Sequence, residues 1–302
     1  MSRISFKCDN CGGEMSVGMS GGLVCPYCGS KTEFKDKDLA EYKNFRSKLL
    51  LYLKSVADSS EDSHVKADEL WSLAESVNTV SDKGADIRIN YLYRKDYDGV
   101  TMYVARNSVV YLFEKGKEGA AGRMKARIGL LRYPEADLKD LPKNFPQLTA
   151  EYGLESGMML VFSKPEEVYP LSMFGNLSAR DAAWIVSRME NFCAVLEFSE
   201  MHSGGIGIDS VLINPRTHEA MLMGPWWDAG KGTDQEDLLG VRRTAKLIMG
   251  DKTEEAPKAF IDFIGSKPRR DAYSDFAYWD EVIDKGFGAR SFAKFDIDNN
   301  LK

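Results

Sequence analysis

The sequence predicts an α+β protein in three parts: a small cysteine-bearing head, a helical connector, and a larger two-part domain. Three observations predict it. Four of the five cysteines fall in two close pairs before residue 30. Apolar residues recur at helical spacing between residues 36 and 80. From residue 86 short apolar runs with strand character come first, and long helical patterns dominate after Leu177. The expected divisions are 1–35, 36–84 and 85–302, the last splitting near residue 165 into a smaller part (about 85–165) and a larger one (about 166–302).

The totals suit this plan. A chain of 302 residues with 43% hydrophobic content can bury a sizeable core. Charged residues make up 28%, both signs interspersed, and the net charge is -6. That balance does not attract phosphate backbones overall, so nucleic acid is a possible but disfavoured partner. The first residues, Met1 to Lys7, have no apolar signal core, and no apolar run approaches the roughly 20 residues of a membrane span. The expectation is a cytoplasmic protein with no membrane contact.

In the head, Cys8-Asp9-Asn10-Cys11-Gly12 and Cys25-Pro26-Tyr27-Cys28-Gly29 form two C-x-x-C knuckles. Each knuckle turns two thiolates toward one point, and four thiolates satisfy tetrahedral zinc. Glycine after the second cysteine permits the tight turn. The spacer carries Gly12, Gly13, Gly18, Gly21 and Gly22, which suits a hairpin. Residues 5–34 resemble the zinc-ribbon family. The ligand set Cys8, Cys11, Cys25 and Cys28 leaves no open position for water, so the expected zinc is structural. A redox pair of C-x-x-C motifs is the alternative, disfavoured by the ribbon spacing. Arg3, Lys7, Lys31 and Lys35 nearly balance Asp9, Glu14 and Glu33, with no aromatic-basic stripe for nucleic acid.

Two helices are expected in the connector, one with Tyr42, Phe45, Leu49, Tyr52, Leu53 and Val56 on one face, the next with Ala67, Leu70, Trp71, Ala74 and Val77. Residues 81–84 read as the boundary. Beyond it, Ile87, Ile89 and Tyr91 alternate as in a strand, and residues 100–105, 109–113 and 158–162 read as further strands. Residues 122–131, with Arg123, Lys125 and Arg127, read as a basic helix whose cations face solvent. Ser178 and Asp181 form an approximate capping box for a long helix with Ile185, Met189, Phe192, Cys193 and Leu196 on its buried face. Cys193 thus belongs to the core. A strand pair at 211–213 and 220–223, a helix over about 236–249 and aromatic-rich helices after Pro257 complete the chain.

This order, together with particular stretches, resembles the protein kinase-like family over roughly residues 86–285. Phe162-Ser163-Lys164-Pro165 looks like a hinge. Met201 to Ile206 looks like the approach to a catalytic loop. Ser210 to Pro215 looks like the strand after that loop, and Asp237-Leu238-Leu239-Gly240 like the start of the central helix of the large lobe. The resemblance implies a bilobal fold and a need for an Asp at the acceptor hydroxyl, an Asn and a second Asp on magnesium, and a Lys–Glu pair.

Two registers are open. Strand topology favours one in which Ser210 replaces the Asn and Gly224-Pro225-Trp226 replaces Asp-Phe-Gly, leaving no catalytic set. The other aligns Gly207-Ile208-Asp209 with the His-Arg-Asp triplet and makes Asp209, Asn214 and Asp228 the catalytic and magnesium residues. No G-x-G-x-x-G precedes Val100. Lys115 lacks a partner, since Glu118 is too near and Glu135 follows Pro134. ATP and magnesium therefore have no convincing site. The expectation is a catalytically inactive pseudokinase that binds another protein, with Trp226 and Trp227 packed in the core or at the lobe interface. The alternatives are an active atypical kinase and a nucleic-acid-associated ribbon factor.

Overall fold

The computed structural model describes residues 6–8, 10–11, 14–17, 22–25, 28–33, 36–134, 141–174, 177–231, 235–288, 294–295 and 297. The head is a four-stranded antiparallel meander: β1 (Phe6–Lys7), β2 (Glu14–Val17), β3 (Gly22–Val24) and β4 (Lys31–Glu33). Gly29 has φ +73°, the left-handed conformation foreseen for the second knuckle. Gly12, Gly13, Gly18 and Gly21 lie outside the described residues.

Helix α1 (Asp36–Ala57) buries Tyr42, Phe45, Leu49, Tyr52 and Leu53, the face its spacing predicts. Helix α2 (Ser63–Trp71) ends earlier than expected, and Val77 belongs instead to strand β5 (Glu75–Val80). Val77, Thr79 and Val80 are β-branched, which favours an extended chain over another helical turn. The expected boundary at residues 81–84 falls in the turn of a hairpin. Residues 81–85 turn β5 back into β6 (Asp86–Tyr91), its antiparallel partner.

The small lobe is a five-stranded antiparallel sheet of β7 (Tyr93–Tyr97), β8 (Val100–Val104), β9 (Ser108–Glu114), β10 (Leu148–Leu154) and β11 (Gly157–Ser163), in the order β10-β11-β9-β8-β7. Helix α3 (Glu118–Ile128) packs on β9 and β11. Period-two alternation sends Tyr103, Val110 and Met159 to one face, where Ile89 and Tyr91 of the β5–β6 hairpin cover them. Tyr111, Phe113, Leu160 and Phe162 join the main core instead. The cations of α3 are tied down more than expected: Lys125 pairs with Glu151 at 2.7 Å, and Arg123 Nε reaches the Trp227 carbonyl.

The large lobe opens with β12 (Tyr169–Pro170) and the long helix α4 (Ala179–Phe198). The Ser178 hydroxyl caps α4 by accepting from the Asp181 amide at 3.1 Å. Next come β13 (Met201–His202), β14 (Val211–Asn214), β15 (Glu219–Leu222), β16 (Gly230–Lys231), α5 (Gln235–Met249), α6 (Lys258–Gly265) and α7 (Ala272–Phe287). Sheet-rich lobe, hinge, long helix, hairpin and helical remainder make this a bilobal, kinase-like layout. Among the described residues no helix is long and apolar enough to cross a membrane.

A buried ionic cluster joins three helices of the large lobe. Arg242 on α5 donates to both Asp275 oxygens on α7, at 2.7 and 2.8 Å, and lies over the Phe263 ring. Glu190 on α4 sits alongside, 3.8 Å from Arg242. Burial, with the Asp275 carboxylate beside it, pushes Glu190 up to about 9, so Asp275 neutralises Arg242 while Glu190 keeps its proton. The unfolded chain releases that proton near the ordinary 4.5, so this group's contribution is full below that value and is lost as pH rises toward about 9. Glu190→Gln keeps the neutral shape without the proton. Its melting temperature is expected to gain on the unaltered chain as pH rises from about 5 to about 9. Parallel melting curves at every pH would contradict this account.

Candidate functional site

The site is the cleft between the lobes, where β9 faces the chain that follows β15. Sheet alternation sends Tyr111 and Phe113 inward, and both are almost wholly buried. The Tyr111 hydroxyl, 3.1 Å from the Met223 carbonyl oxygen and 3.2 Å from that of Gly224, donates across the cleft. Burial pushes its pKa far above the ordinary range.

Pro225 to Asp228 is a turn closed by the Asp228 amide on the Pro225 carbonyl. The two adjacent rings part on this turn. Trp227, 8% exposed, meets Tyr97 at 5.1 Å, Phe113 at 5.7 Å and Tyr111 at 5.9 Å, each edge-on. Trp226 faces Phe145, and its indole N–H donates to the Leu222 carbonyl at 3.2 Å. The cleft beneath the small-lobe sheet is filled by aromatic rings.

Ser210 precedes β14 directly and Gly224 follows β15 closely, so the hairpin brings them side by side. The Met223 amide donates to the Ser210 carbonyl at 2.7 Å. A Cβ on Gly224 would lie 2.9 Å from the Ser210 Cβ and 3.3 Å from the Gly205 carbonyl. That spot has no room for a carboxylate. The Ser210 hydroxyl accepts from the Gly207 amide at 2.8 Å, which holds the loop in a tight turn.

The other candidates lie apart. The Asp209 carboxylate accepts from Lys95 Nζ at 2.9 Å and from the Tyr93 hydroxyl, both on β7. Asn214 is buried at the far end of β14, where its Oδ1 accepts from the amides of Arg216 and Thr217 and shapes the hairpin turn. The strand between them spans roughly 13 Å. Asp228 is exposed on its turn. Lys115 is exposed at the end of β9, and Glu118 caps the neighbouring turn by accepting from the Gly116 amide.

Two residues matter more than their sequence context suggested. Lys164 in the hinge is 4% exposed, and its ammonium donates to the carbonyls of Arg106, Pro165 and Glu166. Burial pulls it down to about 7. Ser203 is held by Asp237 at the head of α5, through its amide at 2.8 Å and its hydroxyl. Gly240 lets α5 approach this loop, since a Cβ there would lie 2.6 Å from the Ile206 carbonyl. Tyr111 had a visible signal: an aromatic centred in the apolar run 109–113 that the sequence reads as a strand. Lys95 and Tyr93 had none, because their partner is 114 or more residues away.

The second site is the head. The Sγ atoms of Cys8, Cys11, Cys25 and Cys28 all lie within 4.8 Å of one another, so the four can hold a metal ion. The Cys8–Cys28 and Cys11–Cys25 pairs are 3.6 and 3.4 Å apart. A tetrahedron with metal–sulfur bonds of about 2.3 Å has edges of about 3.8 Å, so the donor set fits such an ion. The Ser30 hydroxyl, 3.1 Å from Cys28 Sγ, and the Ser30 backbone hold that thiol down to about 5. The Cys8 thiol is also lowered, chiefly by the Cys11 backbone amide.

No protein-family model matches the chain, and no match to a curated protein is found. Among solved structures it is similar to the ROP18 kinase domain bound to AMP-PNP and sucrose, with TM-score 0.46 and 13% identity over 80% of this chain and 95% of that one. It is also similar to ROP2 from Toxoplasma gondii, described as a virulence factor with a protein-kinase fold and no enzymatic activity, with TM-score 0.45 and 10% identity over 80% and 96%. Vaccinia related kinase 3 matches with TM-score 0.43 and 10% identity over 72% and 94%. The likeness is one of overall layout.

Removing the Trp227 ring empties the centre of this aromatic cluster. Trp227→Ala is expected to lower stability by about 3–5 kcal/mol in urea unfolding. Tyr111→Phe, which deletes only the hydroxyl and leaves two carbonyls without that donor, is expected to cost about 1–3 kcal/mol. A Trp227→Ala change of less than about 1 kcal/mol would contradict the packing described here.

Proposed function

We propose that this chain is a catalytically inactive, kinase-like protein-binding module with a structural zinc ribbon. The observation that carries the reading is the Trp227 ring under the small-lobe sheet, among Tyr97, Tyr111 and Phe113. Phosphoryl transfer depends on positioning a nucleotide and its metal ions between the lobes. Here rings take that volume, and Gly224 beside Ser210 leaves no space for a metal-binding carboxylate. Asp209, the one carboxylate on the loop that could orient an acceptor, is engaged by Lys95 and Tyr93.

A bilobal body that does no chemistry acts through its surface, as a scaffold or regulator that recognises another protein. Four thiolates within reach of one ion suit zinc, the borderline-soft cation of closed four-sulfur sites. Its role there is to fold a head too small to bury a core of its own. Cysteines kept for a metal and not paired in disulfides suit a reducing compartment, and a cytoplasmic location is part of this proposal.

Two measurements test the reading. ATP with magnesium is expected to leave the melting temperature unchanged, with no phosphate transferred to the chain or to a general substrate. Transfer that Asp209→Ala abolishes would replace this proposal with an active kinase. Elemental analysis of protein purified without chelator is expected to find one zinc ion per chain, lost in Cys25→Ser, while the melting of the bilobal domain is unmoved. Retained zinc in that variant would remove the ribbon from the account.

A further inference from the structure

The two lobes are tied together at two places remote from each other in sequence. At the first, Lys95 and Tyr93 of the small lobe grip Asp209 of the large lobe. The Lys95 and Asp209 side chains are only 17% and 12% exposed, so water screens the pair weakly. At the second, Arg106 leaves the turn between β8 and β9 and spans two neighbours. Its Nε donates to Glu166 just past the hinge at 2.8 Å, and its NH1 donates to Asp68 on α2 at 3.0 Å. The Arg106 carbonyl in turn accepts from the buried Lys164 ammonium. Leu49, Leu53, Ala67 and Leu70 of the connector helices belong to the same apolar cluster as Val104 of the small lobe and Tyr169 of the large one.

We propose that the Lys95–Asp209 clasp and the connector-braced hinge together lock the two lobes at a single fixed separation. Domain closure and opening in two-lobed proteins uses a few hinge residues that absorb the rotation. Rotation of one lobe against the other about residues 164–166 moves β7 past the loop that carries Asp209, so it must stretch the clasp. Rotation about the clasp must break the Arg106 and Lys164 contacts at the hinge. The lock goes beyond the reading of the filled cleft, and its test contains no nucleotide, so the two stand or fall separately. Its consequence is a rigid face spanning both lobes, with the connector helices as part of the brace.

The test measures inter-lobe distance by pulsed electron paramagnetic resonance on the full chain. Genetically encoded spin labels replace Tyr152 on the small lobe and Tyr273 on the large one, both exposed. A single narrow distance distribution is expected for the otherwise unaltered chain. Lys95→Met with Asp209→Asn and Arg106→Gln is expected to broaden it, and the charge reversal Lys95→Asp with Asp209→Lys, with Arg106 intact, to keep it narrow. A broad distribution in the unaltered chain, or a narrow one in the triple variant, overturns the lock. Should the triple variant not fold, Asp209→Asn alone decides. Amide exchange over residues 207–210 is expected to rise ~10-fold or more while that of α6 and α7 stays the same, and unchanged exchange at 207–210 overturns the proposal.

Discussion

The Tyr111 hydroxyl, donating across the cleft toward the carbonyls of Met223 and Gly224, is the contact on which the rest of the domain is built. It joins the middle strand of the small-lobe sheet to the chain leaving the large-lobe hairpin. A buried hydroxyl is costly unless bonded, and so are the two carbonyls it faces. Once that contact forms, the turn after Gly224 has one place to go. Trp227 enters beneath the sheet, Trp226 takes the opposite side, and Gly224 comes against Ser210 at a distance only glycine allows.

Burial decides the electrostatics of the large lobe in the same way. Asp237 spends its charge on the Ser203 amide and hydroxyl, fixing the loop that a kinase would use for chemistry. Arg242 and Asp275 neutralise each other inside the helical core, and Glu190 answers their proximity by staying protonated. Each buried charge has a partner or has lost its charge, as a low-dielectric interior demands. These groups serve shape.

The connector is more than a spacer. Its two helices share a core with both lobes, and Arg106 binds Asp68 of α2 and Glu166 of the large lobe with one guanidinium. The β5–β6 hairpin, whose first strand was expected as helix, whose turn was expected as a boundary and whose second strand was expected as a strand, covers an apolar sheet face that would otherwise meet solvent. A division drawn at residue 84 passes through the turn of that hairpin. The charge clusters and glycines used to place it mark a reversal of the chain as well as they mark a linker.

Much of this was legible beforehand where the determinant is local. Cysteine spacing names the four-sulfur head, because a C-x-x-C knuckle needs only its own turn. The apolar face of α4, its Ser178 cap and the buried standing of Cys193 follow from period and propensity within one element. The order of strands and helices was likewise enough for the bilobal layout. What only the tertiary structure decided rests on contacts between distant segments: Tyr111 with Gly224, Asp209 with Lys95, Arg106 with Asp68 and Glu166. Strands β7 and β10 escaped notice because their patterns are mixed and their pairing partners supply the order. A linear sequence records which side chains exist, but which carboxylate ends in a clasp and which ring ends in a cleft depends on where the fold brings them together.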